Sequence, residues 1–227
     1  MSAVLDIPRT TSLNAVKKAI ELVQQEEVAV SLANVSWEIY DQAVQIYWGK
    51  QSPRFYYQKG KLLIMPTSKK HEDLNRAIAS FVEVCCLEWE VNWRNFGSAT
   101  YQGGKSKGGF EPDSCFYFKN EAIVEGKEKL DLSSDSPPEL IVEVDMTSSS
   151  TERESIFAEF GVAEIWRYEN EQMQILILTG TKYKTTERSL ALPLVTSEVL
   201  TNFVLQSRNL SRLEWLKSVR SWAKEVN

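Results

Sequence analysis

PELIVEVD, at residues 138–145, is the stretch that decides the fold. It is an apolar run that becomes acidic at its carboxyl end, which is typical of a strand buried in the middle of a sheet. A loop rich in Ser and Thr follows at 146–150, then a helical pattern at 151–160 and a second strand pattern at 164–168. A strand, a helix and a strand in this order predict a βαβ crossover, so part of the sheet should be parallel.

Patterns on both sides of this unit predict an α+β protein with an α/β-like core. Apolar residues at helical spacing predict helices from residue 12 to about 24, after Ser36, at 70–89, at 197–206 and at 209–225, with a short helix at 121–124. Strand patterns occur at 55–58, 62–65, 91–95, 99–102, 114–118, 173–178 and 182–186. The predicted organisation is a helical extension over 1–35, a central domain over 36–206 and a C-terminal helix over 207–227.

Composition excludes some classes of protein. The chain has 227 residues, a net charge of -5 and a single histidine, His71, so it is not a zinc hydrolase built on several histidines. Residues 1–11 lack the apolar core of a signal peptide, and no apolar run approaches the ~20 residues that span a membrane. We therefore expect a cytoplasmic protein. The acidic balance argues against tight nonspecific binding of nucleic acid, but not against an enzyme that contacts it locally.

Two carboxylates share one face of the decisive strand. Because side chains alternate along a strand, Glu143 and Asp145 point the same way, while Val144 points to the other face. Two unit charges ~4 Å apart repel by roughly 4 kcal/mol at an effective dielectric of 20. A raised pKa, a basic partner or a metal ion must offset this repulsion.

A second acidic element, GFEPDS at 109–114, precedes the strand pattern at 114–118. Pro112 removes a backbone donor, so this strand should begin at an edge or a bulge, with the Asp113 carboxylate at its start. If the two strands are neighbours, Asp113 can meet Glu143 in an oxygen-rich site of the kind that Mg²⁺ occupies. Two other interpretations remain open: Asp113 caps a turn, or the acidic strand end is only solvated.

Four motifs in order resemble the Uma-type restriction endonuclease family, a domain of unknown function. They are the helix start HE at 71–72, EPDS at 111–114, PELIVEVDMTSSS at 138–150 and GVAEIWRY at 161–168, and the resemblance covers roughly residues 54–203. It implies the PD-(D/E)xK nuclease-like superfamily, whose core is a mixed β-sheet flanked by helices. It also implies hydrolysis of phosphodiester bonds in nucleic acid, with DNA the expected substrate, and Mg²⁺ or Mn²⁺ as the cofactor.

The resemblance also implies roles for individual residues. Asp113 and Glu143 match the two acids that hold the metal ion, with the backbone carbonyl of Val144 as a third ligand. Glu72, on the long helix, matches an acid that adds a ligand through water. Asp145 stands where the superfamily pattern has lysine, and Arg153 on the following helix is placed to supply a cation instead.

The missing lysine leaves alternatives open. Arginine stays protonated and is a poor general base, although it can orient a phosphate. Arg153 is then either functional or a surface residue, and Asp145 is either a further metal ligand or the partner of Arg153. The alternative function is a catalytically inactive nuclease fold that serves as a binding or regulatory module. We also expect a homodimer, since seven tryptophans could anchor an interface, although packing in the core explains most of them.

Overall fold

The computed structural model describes residues 3–4 (backbone only), 11–48, 52–103, 107–127, 130–146 and 153–227. Its helices are α1 (Leu13–Glu26), α2 (Trp37–Tyr47), α3 (Lys69–Glu88), α4 (Glu121–Val124), α5 (Glu154–Glu159), α6 (Ser197–Gln206) and α7 (Arg212–Val226). Its strands are β1 (Ala3–Val4), β2 (Val30–Leu32), β3 (Arg54–Gln58), β4 (Lys61–Met65), β5 (Arg94–Asn95), β6 (Tyr101–Gly103), β7 (Gly108–Phe110), β8 (Ser114–Tyr117), β9 (Leu130–Asp131), β10 (Leu140–Asp145), β11 (Glu164–Glu169), β12 (Gln172–Thr179) and β13 (Lys182–Thr186).

The chain divides into two compact units, and the α+β class is confirmed in both. The first unit comprises Met1–Lys69, Thr100–Glu111 and Lys129–Asp135. The second comprises Lys70–Ala99, Pro112–Glu128 and Ser136–Asn227. Each unit has its own mixed sheet and its own apolar core. The three segments predicted from the sequence, with boundaries at 35 and 206, stay a prediction.

The first unit packs α1 and α2 against a sheet of strand order β1-β2-β4-β3-β7-β6-β9. Ser12 and Ser36 cap the two helices, because their hydroxyls accept hydrogen bonds from the backbone amides of Ala15 and Ile39 at 3.3 Å. The β3–β4 hairpin turns at Lys59 and Gly60, both at positive φ.

The prediction missed four short strands of this unit, β1, β2, β7 and β9. They are two or three residues long, too short to show an alternating pattern. Strand β7 contains a Gly-Gly pair that is typical of a loop. It is a strand because it pairs with β3 and β6, and residue 109 is glycine because a side chain there would collide with the hydroxyl of Tyr40.

The second unit has the sheet order β13-β12-β11-β10-β8-β5. Strand β10 is parallel to β11 and antiparallel to β8, so the predicted crossover is confirmed. Helix α5 begins at Glu154 rather than at 151; the predicted loop at 147–150 and residues 151–152 lie outside the described residues. Gly161, at φ 77°, follows the end of this helix, and its amide donates to the carbonyl of Ala158.

Helices α3, α6 and α7 cover one face of this sheet and form the apolar core of the unit with it. Phe81 of α3 is fully buried and contacts the rings of Trp166, Phe203 and Trp222. Of the strand predicted at 91–95, only β5 forms. The strand predicted at 99–102 corresponds to β6, which belongs to the first unit. No helix in the described part of the chain is long and apolar enough to cross a membrane.

Candidate functional site

The buried strand β10 carries two carboxylates on one face, as its sequence predicted. Leu140, Val142 and Val144 pack into the apolar core on the other face. The side chain of Glu143 is fully buried, and Asp145 is 6% exposed. Two acids are therefore held away from water at the carboxyl end of a central strand, where each must find a compensating group.

Asp113 meets this strand end directly. Strand β8 is antiparallel to β10, with Ser114 opposite Val142, and the amide of Asp113 continues the ladder by donating to the Val142 carbonyl at 3.2 Å. The amide of Val144 donates to Asp113 Oδ2 at 2.8 Å. The two strands are therefore neighbours, as the prediction required, because an antiparallel partner brings the start of β8 to the end of β10; the meeting of Asp113 with Glu143 in one metal site stays a prediction.

Two side chains near the amino end of α3 contact Asp113. His71 Nε2 lies 3.0 Å from Asp113 Oδ2. One turn later, Asn75 Nδ2 donates to the Asp113 carbonyl at 2.9 Å, and Asn75 Oδ1 accepts from the Ser114 hydroxyl at 2.8 Å. Sequence reasoning gave neither residue a role. Their spacing of four on an otherwise apolar helix face was the available signal, because a buried polar pair at that spacing needs partners.

Glu72 lies next to His71 in the first turn of α3, and its side chain is 27% exposed. Its Oε1 is 3.8 Å from His71 Nδ1. Burial by itself lowers the pKa of His71. The hydrogen bonds to Asp113 and Glu72 outweigh that effect and raise the pKa to about 9.

Arg153 supplies the cation next to Glu143 and Asp145. It immediately precedes α5, and its side chain is 5% exposed. Its Nη2 lies 3.0 Å from Glu143 Oε2 and 2.6 Å from Asp145 Oδ1. Of the alternatives left open by the sequence, the structure places Arg153 in the interior rather than on the surface, and pairs it with Asp145.

The pKa of Glu143 reflects both its burial and the charges around it. Burial raises its pKa most, the guanidinium of Arg153 lowers it, and the neighbouring carboxylates of Asp113 and Asp145 raise it again, to about 8. His71 lowers it by a smaller amount. The charge repulsion inferred from the sequence is therefore present, and one guanidinium offsets only part of it.

The chemistry of these side chains fits a hard divalent cation. Mg²⁺ and Mn²⁺ prefer carboxylate and carbonyl oxygens, and Asp113, Glu143, Asp145 and the Val144 carbonyl belong to one strand end. Within the described ranges, no group of three or more His, Cys, Asp or Glu side chains is arranged so that it could hold a metal ion. The guanidinium of Arg153 contacts two of the carboxylates, so an ion would compete with it for Glu143 and Asp145.

Comparisons with known proteins show the fold and the family of this chain. A crystal structure described as "a putative nuclease belonging to DUF820", from Anabaena variabilis, is similar over 70% of this chain and 96% of its own, with a TM-score of 0.50. Because the two sequences are 12% identical, the similarity shows the fold alone. No curated protein matches the sequence. The model of the Uma2 family, described as "Putative restriction endonuclease", matches residues 37–208, and the chain belongs to this family.

Proposed function

We propose that this protein is a divalent-metal-dependent nuclease that hydrolyses phosphodiester bonds, with DNA as its substrate. The observation that carries the proposal is the hydrogen bond from the Val144 amide to Asp113, which ties the two acidic strand ends together. Membership of a family described as restriction endonucleases supports the reaction class. The cytoplasmic location and the homodimer predicted from the sequence stay predictions beside it.

In this proposal Asp113 and Glu143 hold the ion with the carbonyl of Val144. When bound, the ion lowers the pKa of a water molecule and stabilises charge on the phosphoryl oxygens. His71 and the Val144 amide fix the orientation of the Asp113 carboxylate by two hydrogen bonds. A ligand held by outer contacts of this kind keeps its position when the substrate arrives.

Arg153 and Glu72 have supporting roles. The guanidinium of Arg153 has five N–H donors in a planar fork, so it can contact Asp145 and also orient a phosphate oxygen. It stays protonated and therefore does not abstract the proton of the attacking water. Glu72, with 27% of its side chain exposed beside His71, can accept a hydrogen bond from a water molecule.

The proposal is tested by nicking of supercoiled plasmid DNA in Mn²⁺, in Mg²⁺ and in EDTA. We expect cleavage by the natural protein in either metal and none in EDTA. Asp113→Asn and Glu143→Gln should each abolish cleavage, since each keeps the shape of the side chain but removes its charge. Glu187→Gln, at an exposed acid on the same unit, is the matched control and should cleave normally. Failure of the natural protein to cut either DNA or RNA would refute the proposed nuclease activity.

One observation favours the alternative, an inactive nuclease fold that binds or regulates. Asp145 stands at the position of the superfamily lysine, and Arg153 already neutralises part of the acidic cluster. An inactive module of this kind needs no divalent ion. Titration calorimetry separates the two functions: heat of binding at millimolar Mn²⁺ that is lost in Asp113→Asn supports the nuclease, and the absence of any heat in the natural protein supports the module.

A further inference from the structure

A cavity of about 520 Å³ lies in the second unit, between the first two turns of α3 and the junction of α6 with α7. Leu74 and Ala77 of α3 form its apolar floor. Its polar lining is mostly basic, with a single acid: Lys70, Asp73, Arg76, Ser207, Arg208 and Arg212. The site proposed above uses none of these side chains.

The charge of this lining is opposite to that of the whole chain. Four cations face one carboxylate, Asp73, in a protein whose net charge is -5. Two acids beside the cavity interact with these cations: Glu171 with Arg208 and, by its charge alone, with Lys70, and Glu83 with Arg212. The cations still outnumber the acids when both are counted. Such an excess concentrated in a concave surface attracts anions.

Two of the arginines are held in place. Arg208 donates to Glu171 at 2.7 Å and to the hydroxyl of Tyr168. Arg212 donates to the Arg76 carbonyl at 3.2 Å and to the Ser80 hydroxyl, and it lies 4.8 Å above the ring centre of Trp215. A guanidinium fixed in this way loses little conformational entropy when it meets a phosphate.

The other two cations are exposed at the mouth of the cavity. Within the ranges that the structure describes, the side chains of Lys70 and Arg76 make no hydrogen bond or ion pair. They can therefore reach an arriving anion without breaking a contact. Two arginines held in place and two adaptable cations suit a phosphate-bearing chain.

The cavity lies at the same end of the sheet as the acidic strand ends. Lys70 directly precedes His71, which contacts Asp113, and the two residues share the first turn of α3. Tyr168, which holds Arg208, is the register partner of Val144 in the neighbouring strand. The first turn of α3 therefore links the basic cavity to the Asp113 carboxylate.

We propose that this cavity binds backbone phosphates of the nucleic acid and so positions the strand that is cut. The proposal rests on the proposed nuclease function for its choice of ligand. Phosphate contacts of this kind set register and orientation without reading sequence. They also explain how a protein with an acidic surface balance can retain a polyanionic substrate.

The test is binding of a short labelled DNA duplex in EDTA, followed by fluorescence anisotropy, so that binding is measured without cleavage. The double variant Lys70→Ala/Arg76→Ala removes two cations from the rim. Lys182→Ala/Lys184→Ala removes two exposed cations from β13 and is the matched control. Thermal melts of both variants check that the fold is intact.

We expect the control to bind like the natural protein and the rim variant to bind more weakly. Each lost phosphate contact lowers the slope of log K against log salt by about 0.9. Between about 50 and about 200 mM salt, the natural protein should therefore lose about 12-fold more affinity than the rim variant. Equal affinity and equal slope in the rim variant would overturn the proposal, and so would the absence of DNA binding by the natural protein.

The two proposals fail separately. A protein that binds DNA through the rim cations but cuts nothing refutes the nuclease and leaves the cavity assignment standing. A protein that cuts DNA while the rim variant binds normally leaves the nuclease standing and refutes the cavity. Binding of both proteins to acidic lipid vesicles is measured as well. If the rim variant loses binding to vesicles but not to DNA, the cavity is a membrane contact and the proposal is wrong.

Discussion

Arg153→Leu is the substitution that tests the acidic cluster most sharply. It removes the guanidinium that contacts Glu143 at 3.0 Å and Asp145 at 2.6 Å, and it keeps most of the bulk of the side chain. We expect the variant to be less stable than the natural protein in EDTA. We also expect Mn²⁺ to stabilise the variant more than the natural protein, because the ion no longer competes with Arg153.

The magnitude follows from burial and from the pKa of Glu143. Removing one partner of a buried ion pair costs about 3–5 kcal/mol, since the other charge is left without compensation. Burial and the neighbouring carboxylates of Asp113 and Asp145 raise the pKa of Glu143, so the charged form of this carboxyl is already disfavoured. The loss then falls mainly on Asp145, and we expect the lower limit, about 3 kcal/mol. For a chain of this size that corresponds to a melting temperature about 6–12 °C lower.

Calorimetric melts in EDTA and in rising Mn²⁺ measure both effects. An ion at 100 times its dissociation constant stabilises the folded state by about 2.7 kcal/mol, so saturating Mn²⁺ should restore most of the loss in the variant. Arg220→Leu is the control, because Arg220 is exposed and its partner Glu88 keeps a second cation in Lys224, so the loss should be about 0–1 kcal/mol. The competition between guanidinium and ion is refuted if Arg153→Leu has the same melting temperature as the natural protein. It is also refuted if Mn²⁺ stabilises only the natural protein.

Two further predictions concern the apolar cores and are measured by urea unfolding. Phe81→Ala should cost about 3–5 kcal/mol, because it empties a fully buried site between Trp166 and Phe203; a smaller loss would mean that this core is loosely packed. Gly109→Ala should cost about 1–3 kcal/mol, because its new methyl group collides with the hydroxyl of Tyr40. Tyr40→Phe should recover part of that loss in the double variant, and strictly additive losses would show that the collision is absent.

The sequence was sufficient for the part of the fold that rests on local pattern. An apolar run that turns acidic, a helix and a second strand predicted the parallel β10–β11 pair, and this pair forms. Alternation along a strand placed Glu143 and Asp145 on one face, and Pro112 marked the start of β8. These features depend on neighbours in the chain or on one strand pairing, so periodicity and proline geometry carry them.

The remainder depends on packing between elements that are distant in sequence. The contact of His71 with Asp113 joins residues 42 positions apart, and only the packing of α3 decides which face of that helix reaches the sheet. The sequence did not predict the division into two sheets, because many strands of the first sheet are two or three residues long and show no periodic pattern. The paired contacts of Arg153 likewise require the position of the residue just before α5, which no spacing in the sequence specifies.

The central claim is that the strand ends carrying Asp113 and Glu143 share a divalent cation. A crystal soaked in millimolar Mn²⁺ and measured at the manganese absorption edge tests it most directly. The account predicts an anomalous peak about 2.1 Å from oxygens of both carboxylates, with Arg153 withdrawn from at least one of its partners. A map with no peak at these residues, and with Arg153 still in contact with both Glu143 and Asp145, would contradict it.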